Sequence, residues 1–233
     1  MPPAPVSSAS ALPAGPHLFR LAGALYLVII LCGITAEGVI RGSLIQPGNP
    51  AETARTIGGA LPLWRLGLVL DTAMVLSDLG IALVFLRLLA PAYPRLAPIA
   101  CGLRLVQAGT IVVALAALSR TGGLLQNPDA VMRTIAFHAR TYDIGLIFFA
   151  GNCLLMAWML RPLVGRGLAW ALAGSGLVYL AGSLSALVAP ALNAAMQPAY
   201  LLPLLAETAL CLWLLRRGFR RKYWPKLRPK LKP

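Results

Sequence analysis

Acidic side chains are scarce in this 233-residue chain: seven Asp and Glu stand against 21 Lys and Arg, and charged residues of both signs make up only 12%. Soluble domains average about 25% charged, so a water-exposed fold of this size is disfavoured from the outset. Histidine is nearly missing, with His17 in the N-terminal stretch and His138 as the one candidate imidazole elsewhere. The four cysteines, Cys32, Cys101, Cys153 and Cys211, stand singly in different apolar runs. No CxxC or Cys/His spacing signals a zinc site or a redox pair, so they read as inert buried thiols. HExxH, GxSxG and a phosphate-binding glycine loop are also lacking. No cofactor or metal is therefore implied. Paired carboxylates remain as a route to proton transfer or to an oxygen-ligated divalent ion, and neither spacing here is specific.

What the chain has in abundance is apolar sequence, 58% of residues with mean hydropathy +0.76. Six runs reach the roughly 17–25 residues that a membrane helix needs: 21–40, 66–86, 99–118, 144–160, 167–187 and 199–215. The fourth and sixth are short. Residues 1–16 carry no charged side chain, whereas a signal peptide begins with a basic segment. The chain divides into a disordered N-terminal tail (1–17), a six-helix transmembrane domain (18–218) and a basic cytoplasmic tail (219–233). The fold class is an all-α integral membrane protein.

The net charge of +14 raises the question of nucleic acid. The bases sit between apolar runs and in one tail, which is a topology signal and not a nucleic-acid footprint. With the N-terminus inside, fourteen Lys and Arg fall in inner segments and six in outer ones, leaving Arg104 within the third run. That asymmetry predicts a bacterial inner-membrane protein with both termini cytoplasmic. The expected partners are the lipid bilayer and, for the tail RRGFRRKYWPKLRPKLKP, anionic lipid headgroups. Nothing specifies an oligomer.

Two outer loops carry helix-start signals. Asn49-Pro50-Ala51-Glu52 supplies an N-cap, a first-turn proline and a glutamate, predicting a short helix near 50–60. Asn127-Pro128-Asp129 repeats the pattern and starts a segment that runs through Arg133 and His138 into the fourth run, so two short helices are expected on the outer face. In the fifth run Gly167, Ala171, Ser175, Tyr179 and Ser183 recur every four residues. Such small residues predict close helix packing, and Tyr179 and Ser183 could also line a pocket.

The second run carries Asp71 and Asp78, seven residues apart and so on one helical stripe. Ionisable groups in hydrocarbon face the bundle interior, a partner or water. Asp78 lies at the depth of Arg104, and consecutive helices are usually neighbours, so an Asp78–Arg104 ion pair is predicted. Gln107, one turn from Arg104, would extend it toward Asp71. Counted within the runs, Glu37, Asp71, Asp78, Asp143 and Glu207 face Arg65 and Arg104, with Arg41 at the edge. The excess negative charge calls for shared protons, water or a bound cation. The candidate ligand-binding residues are Glu37, Asp71, Asp78, Arg104, Gln107 and Glu207. Asp71, with the least basic company, is the expected functional carboxylate.

Segments RLAGALYLVIILCGITAE (20–37), WRLGLVLD (64–71) with Asp78, RLVQA (104–108), GLIFFAGNCLL (145–155) and LAE (205–207) carry a further signal. Together they resemble a bacterial multi-pass membrane family known only as domain of unknown function 4386. The resemblance implies a six-helix membrane fold and no established activity. Asn152 departs from the histidine expected there in the family, which weakens any metal or relay role for that position. Three functional readings remain. The leading one is a non-enzymatic protein with a polar, outward-facing cavity that binds or transports a small solute or protons. The others are a membrane-embedded enzyme acting on a lipid or isoprenoid, with Asp71 and Glu207 around a divalent ion, and a structural or accessory subunit.

Overall fold

The computed structural model describes residues 16–217, and among these every regular element is helical. The tail after residue 217 and residues 1–15 lie outside the described residues, while Pro16 and His17 already belong to the first helix. Six of the helical stretches are long and apolar enough to cross a membrane, so the chain is a multi-pass membrane protein.

The first span is α1 (Pro16–Gly33), which continues as a π-helical segment (Ile34–Arg41) and ends in the one-turn α2 (Gly42–Leu44). A short helix, α3 (Pro50–Gly59), follows; the Asn49 side chain accepts from the Glu52 amide at 3.1 Å as its N-cap. Half of the expected capping box forms, because the Glu52 carboxylate turns outward to Arg55 instead. The second and third spans are α4 (Leu61–Leu89) and α5 (Leu96–Leu118).

The fourth span, α6, runs unbroken from Pro128 to Val164. As expected, Asn127 starts a helix that runs into the fourth span, its side chain accepting from the Ala130 amide at 3.1 Å; it does not form a separate short helix. No residue between Asp129 and Arg161 breaks it. At about 1.5 Å per residue its 37 residues span roughly 55 Å, well beyond the ~30 Å hydrocarbon layer. Gly165, at φ +86°, makes the one-residue turn into α7 (Arg166–Val188), a conformation L-residues seldom adopt. The second short helix is α8 (Pro190–Met196), which leads through a 3₁₀ turn at Gln197–Tyr200 into the last span, α9 (Leu201–Arg217).

Each long helix packs against its neighbour in sequence, and α9 returns to pack on α1. The six spans therefore form a closed ring with an interior. Helix α4 shows how the sequence builds it: Val69, Leu76 and Leu83 face outward while Asp71, Asp78 and Phe85 face inward, both sets at the seven-residue spacing of two turns. Close approach between α6 and α7 depends on Gly176, where a Cβ would stand 2.9 Å from the Ala150 carbonyl oxygen. Gly167, by contrast, is exposed. A four-residue spacing advances about 40° per step on a 3.6-residue helix, so the small-residue stripe drifts off the contact.

The interior is layered. Toward the end bearing both termini, Ile81, Phe85, Met156, Leu160, Leu210 and Leu214 belong to one apolar cluster. At the opposite, distal end, Ile40, Leu44, Ile57, Trp64, Leu118 and Val131 join α2 and α3 to the spans. The buried charges lie between.

Candidate functional site in the ring interior

All six spans send a side chain to one polar centre. Arg104 on α5, 2% exposed, donates to Asp78 Oδ1 on α4 through both Nε (3.0 Å) and Nη2 (2.6 Å). Its Nη1 reaches Asn152 Oδ1 on α6 at 3.5 Å. The guanidinium carbon lies 4.9 Å from the Phe149 ring centroid and 5.5 Å from that of Tyr26 on α1. Phe149 in turn packs against Tyr179 of α7, with centroids 5.3 Å apart. The Tyr179 hydroxyl donates to Glu207 Oε1 on α9 at 2.6 Å. A continuous chain of contacts thus runs around the ring.

Neighbouring amides hold this centre in place. Gln107, one turn along α5, donates from Nε2 to Asp78 Oδ2 at 3.3 Å, so it serves Asp78 and not Asp71. That orientation leaves Gln107 Oε1 buried without a donor. Asn152 Nδ2 donates to the Ala100 carbonyl at 2.8 Å, tying α6 to α5. A histidine is not needed for this role: the amide both donates to a backbone carbonyl and accepts toward Arg104.

A second cluster lies nearer the distal end and changes the standing of Asp71. Arg41 donates to both Asp71 oxygens, at 2.5 Å from Nη1 and 3.0 Å from Nη2. Its Nε donates to Glu37 Oε2 at 2.6 Å. Asp71 therefore has a dedicated cation, contrary to the expectation that it lacks one. Two local causes account for this. The π-helical winding carries the first span past Ile40 and brings Arg41 inside, at 5% exposure. On α4, Trp64 takes the inward-facing position, so the adjacent Arg65, about 100° round the helix, is exposed.

Tyr142 and His138 of α6 stack beside this cluster, ring centroids 5.9 Å apart. Tyr142 also packs on the apolar cluster of Met74, Val75, Ala108 and Ile111. Asp143 is half-buried and faces Ser183 of α7. The Ser183 hydroxyl is fully buried but lacks hydrogen-bond geometry to any described partner.

The six predicted residues thus divide. Asp78, Arg104 and Gln107 contact one another; Glu37 and Asp71 meet on Arg41; Glu207 sits at the α7–α9 side of the centre, 7% exposed. Arg104 and Asp78 act on Glu207 electrostatically, yet among the described residues no cation forms an ion pair with it. Sequence reasoning left out Arg41, Tyr142 and Asn152 from the site. Arg41 had a readable signal, the four-residue spacing from Glu37 that places the two on one face.

Chemically, the arrangement pairs Asp71 and Asp78 each with an arginine and leaves Glu207 with a neutral hydroxyl only. No group of three or more His, Cys, Asp or Glu among the described residues is arranged to hold a metal ion. Each Asp71 oxygen accepts from Arg41, so a divalent ion shared by Asp71 and Glu207 would sit beside the Arg41 guanidinium, against like charge.

No curated protein and no solved structure matches this chain. A family model matches residues 21–218, which include every residue of both clusters. The chain belongs to the family described as domain of unknown function 4386.

Proposed function

We propose that this is an inner-membrane protein, termini cytoplasmic, whose ring interior takes up a proton or a small cationic solute from the distal, outward side. Glu207 is the accepting group. The observation that carries this reading is the unequal provision of counter-ions: Asp71 has Arg41, Asp78 has Arg104, and Glu207 has only the Tyr179 hydroxyl. An ionised carboxylate in an apolar interior is costly without a compensating charge, so this position is completed by a proton or a cation.

Apolar layers cap the polar centre at both ends, and the polar route out ends at Glu37, whose carboxylate is exposed. Polar groups continue from the centre toward the distal end through Tyr142, Asp71, Arg41 and Glu37. Below, the apolar cluster around Phe85, Leu160 and Leu214 closes the way to the other face. Transport then requires a second conformation that opens this plug.

The test is uptake by proteoliposomes containing a pH-sensitive dye, energised by an inward proton gradient, with and without small amines. Wild type acidifies the lumen or accumulates the amine above protein-free vesicles. Glu207→Gln abolishes the signal, and Glu207→Asp retains part of it. Uptake unchanged in Glu207→Gln overturns the proposal. A structural role has one observation in its favour, the complete pairing of both buried arginines. It predicts that Glu207→Gln alters neither uptake nor the fold, and that wild type shows no uptake.

A further inference from the structure

A separate feature lies at the distal surface, away from the ring interior. A cleft of about 450 Å³ opens between the end of α5 and the first turns of α6. Arg120 and Arg133 stand on its walls, and Ala117, Leu124 and Phe137 supply an apolar lining. Both arginines are exposed, and neither has an ion-pair partner among the described residues, although Asp129 is one turn from Arg133.

Its level relative to the bilayer follows from helix lengths. Helix α5 has 23 residues, about 34 Å at 1.5 Å per residue, enough to cross the ~30 Å hydrocarbon layer. Arg120 follows that helix by two residues, at the boundary. Arg133 lies in the part of α6 that overshoots the hydrocarbon, so both guanidiniums stand at headgroup depth. Phe137, one turn further along α6, is an exposed aromatic on the membrane side of Arg133.

We propose that this cleft binds one anionic phospholipid, its phosphate between Arg120 and Arg133 and its glycerol and upper acyl carbons along Leu124 and Phe137. Guanidinium forks match phosphate oxygens bidentately, and two cations at one cleft favour an anionic headgroup over a zwitterionic one by charge. The apolar side of the lining selects an amphiphile over a free anion. This site is independent of Glu207.

The test titrates detergent-purified full-length protein with short-chain phosphatidylglycerol, short-chain phosphatidylcholine and inorganic phosphate, by calorimetry. Expected is a preference for phosphatidylglycerol over both, weakened at least about tenfold in Arg120→Ala/Arg133→Ala, corresponding to loss of a charge-assisted contact. Arg65→Ala, removing an exposed arginine at the distal end of α4 outside the cleft, leaves affinity unchanged. Either single variant substitutes if the double fails to fold. Equal weakening in Arg65→Ala, equal affinity for phosphatidylcholine, or binding of inorganic phosphate as tight as the lipid each overturns the proposal.

Discussion

Arg104→Met removes the cation from the polar centre while keeping a side chain of similar length. The wild-type guanidinium is 2% exposed, contacts Asp78 twice and lies over two aromatic rings. Its loss strands Asp78, itself 2% exposed; breaking a buried pair from one side costs about 3–5 kcal/mol. Lost cation–π contact adds roughly 0.5–2 kcal/mol. Two effects oppose these. Gln107 still donates to Asp78 Oδ2, and helices unfolded within a membrane find alternative polar partners, which holds measured interhelical contacts near ~0.6 kcal/mol. The charge effect is the larger because a neutral amide cannot replace a cation, and a net loss of about 3 kcal/mol is expected. Asp78→Leu/Arg104→Met removes both charges and should return to within about 1 kcal/mol of wild type, since a matched apolar pair is often neutral. The assay is reversible unfolding in mixed micelles, followed by tryptophan fluorescence, as a double-mutant cycle. A single variant indistinguishable from wild type, or a double variant as unstable as the sum of the singles, refutes the reasoning.

Three further outcomes follow from the same geometry. Arg41→Met should destabilise more than Asp71→Asn, because the first leaves the buried Asp71 carboxylate without a cation while the second leaves Arg41 still paired with Glu37; the order reverses if water reaches Asp71, and the same unfolding assay reads it. Gly176→Val places side-chain carbons against the Ala150 carbonyl and Cys153, separating α6 from α7 at a cost of about 1–3 kcal/mol; unchanged thermal inactivation in detergent would count against the close approach. Hydrogen exchange of α3 tests a pH effect: the Arg55 guanidinium holds the Glu52 carboxyl below its usual range. This contribution is present above the unfolded value of about 4.3 and is lost as pH falls through the lower folded value. Protection of α3 should therefore hold at neutral pH and fall under acid in wild type, with the acid dependence reduced in Glu52→Gln.

Much of the architecture is written in the sequence because bilayer thickness and the inward phase of polar residues leave few alternatives. Asp71 and Asp78 define the interior face of α4, and depth alone brings Arg104 to the level of Asp78. The distal cluster was less legible. Side-chain spacing does not encode π-helical winding, so Arg41 reads as a residue flanking a span, although the structure turns it inward. Trp64 and Arg65 pose a related difficulty, since either could face the ring and only packing against Ile40, Leu118 and Val131 selects the indole. The run of α6 from Asn127 through Arg133 and His138 into the span is legible, since the polar residues before Tyr142 contain no breaker. Asn152 reads as an apolar-run anomaly; its role becomes plain only when α5 supplies both Arg104 and the Ala100 carbonyl.

These positions shift attention along the chain. Asp71 is half of a clamp with Arg41, and among the described residues the buried carboxyl without an ion-pair partner is Glu207. Infrared difference spectroscopy of the membrane-embedded protein through a pH titration addresses that claim most directly, because a protonated carboxyl has a C=O stretch that a carboxylate lacks. The account predicts a reversible carboxyl band that vanishes in Glu207→Gln, moves in Tyr179→Phe and persists in both Asp71→Asn and Asp143→Asn. A titrating band that survives Glu207→Gln and vanishes in Asp71→Asn contradicts it.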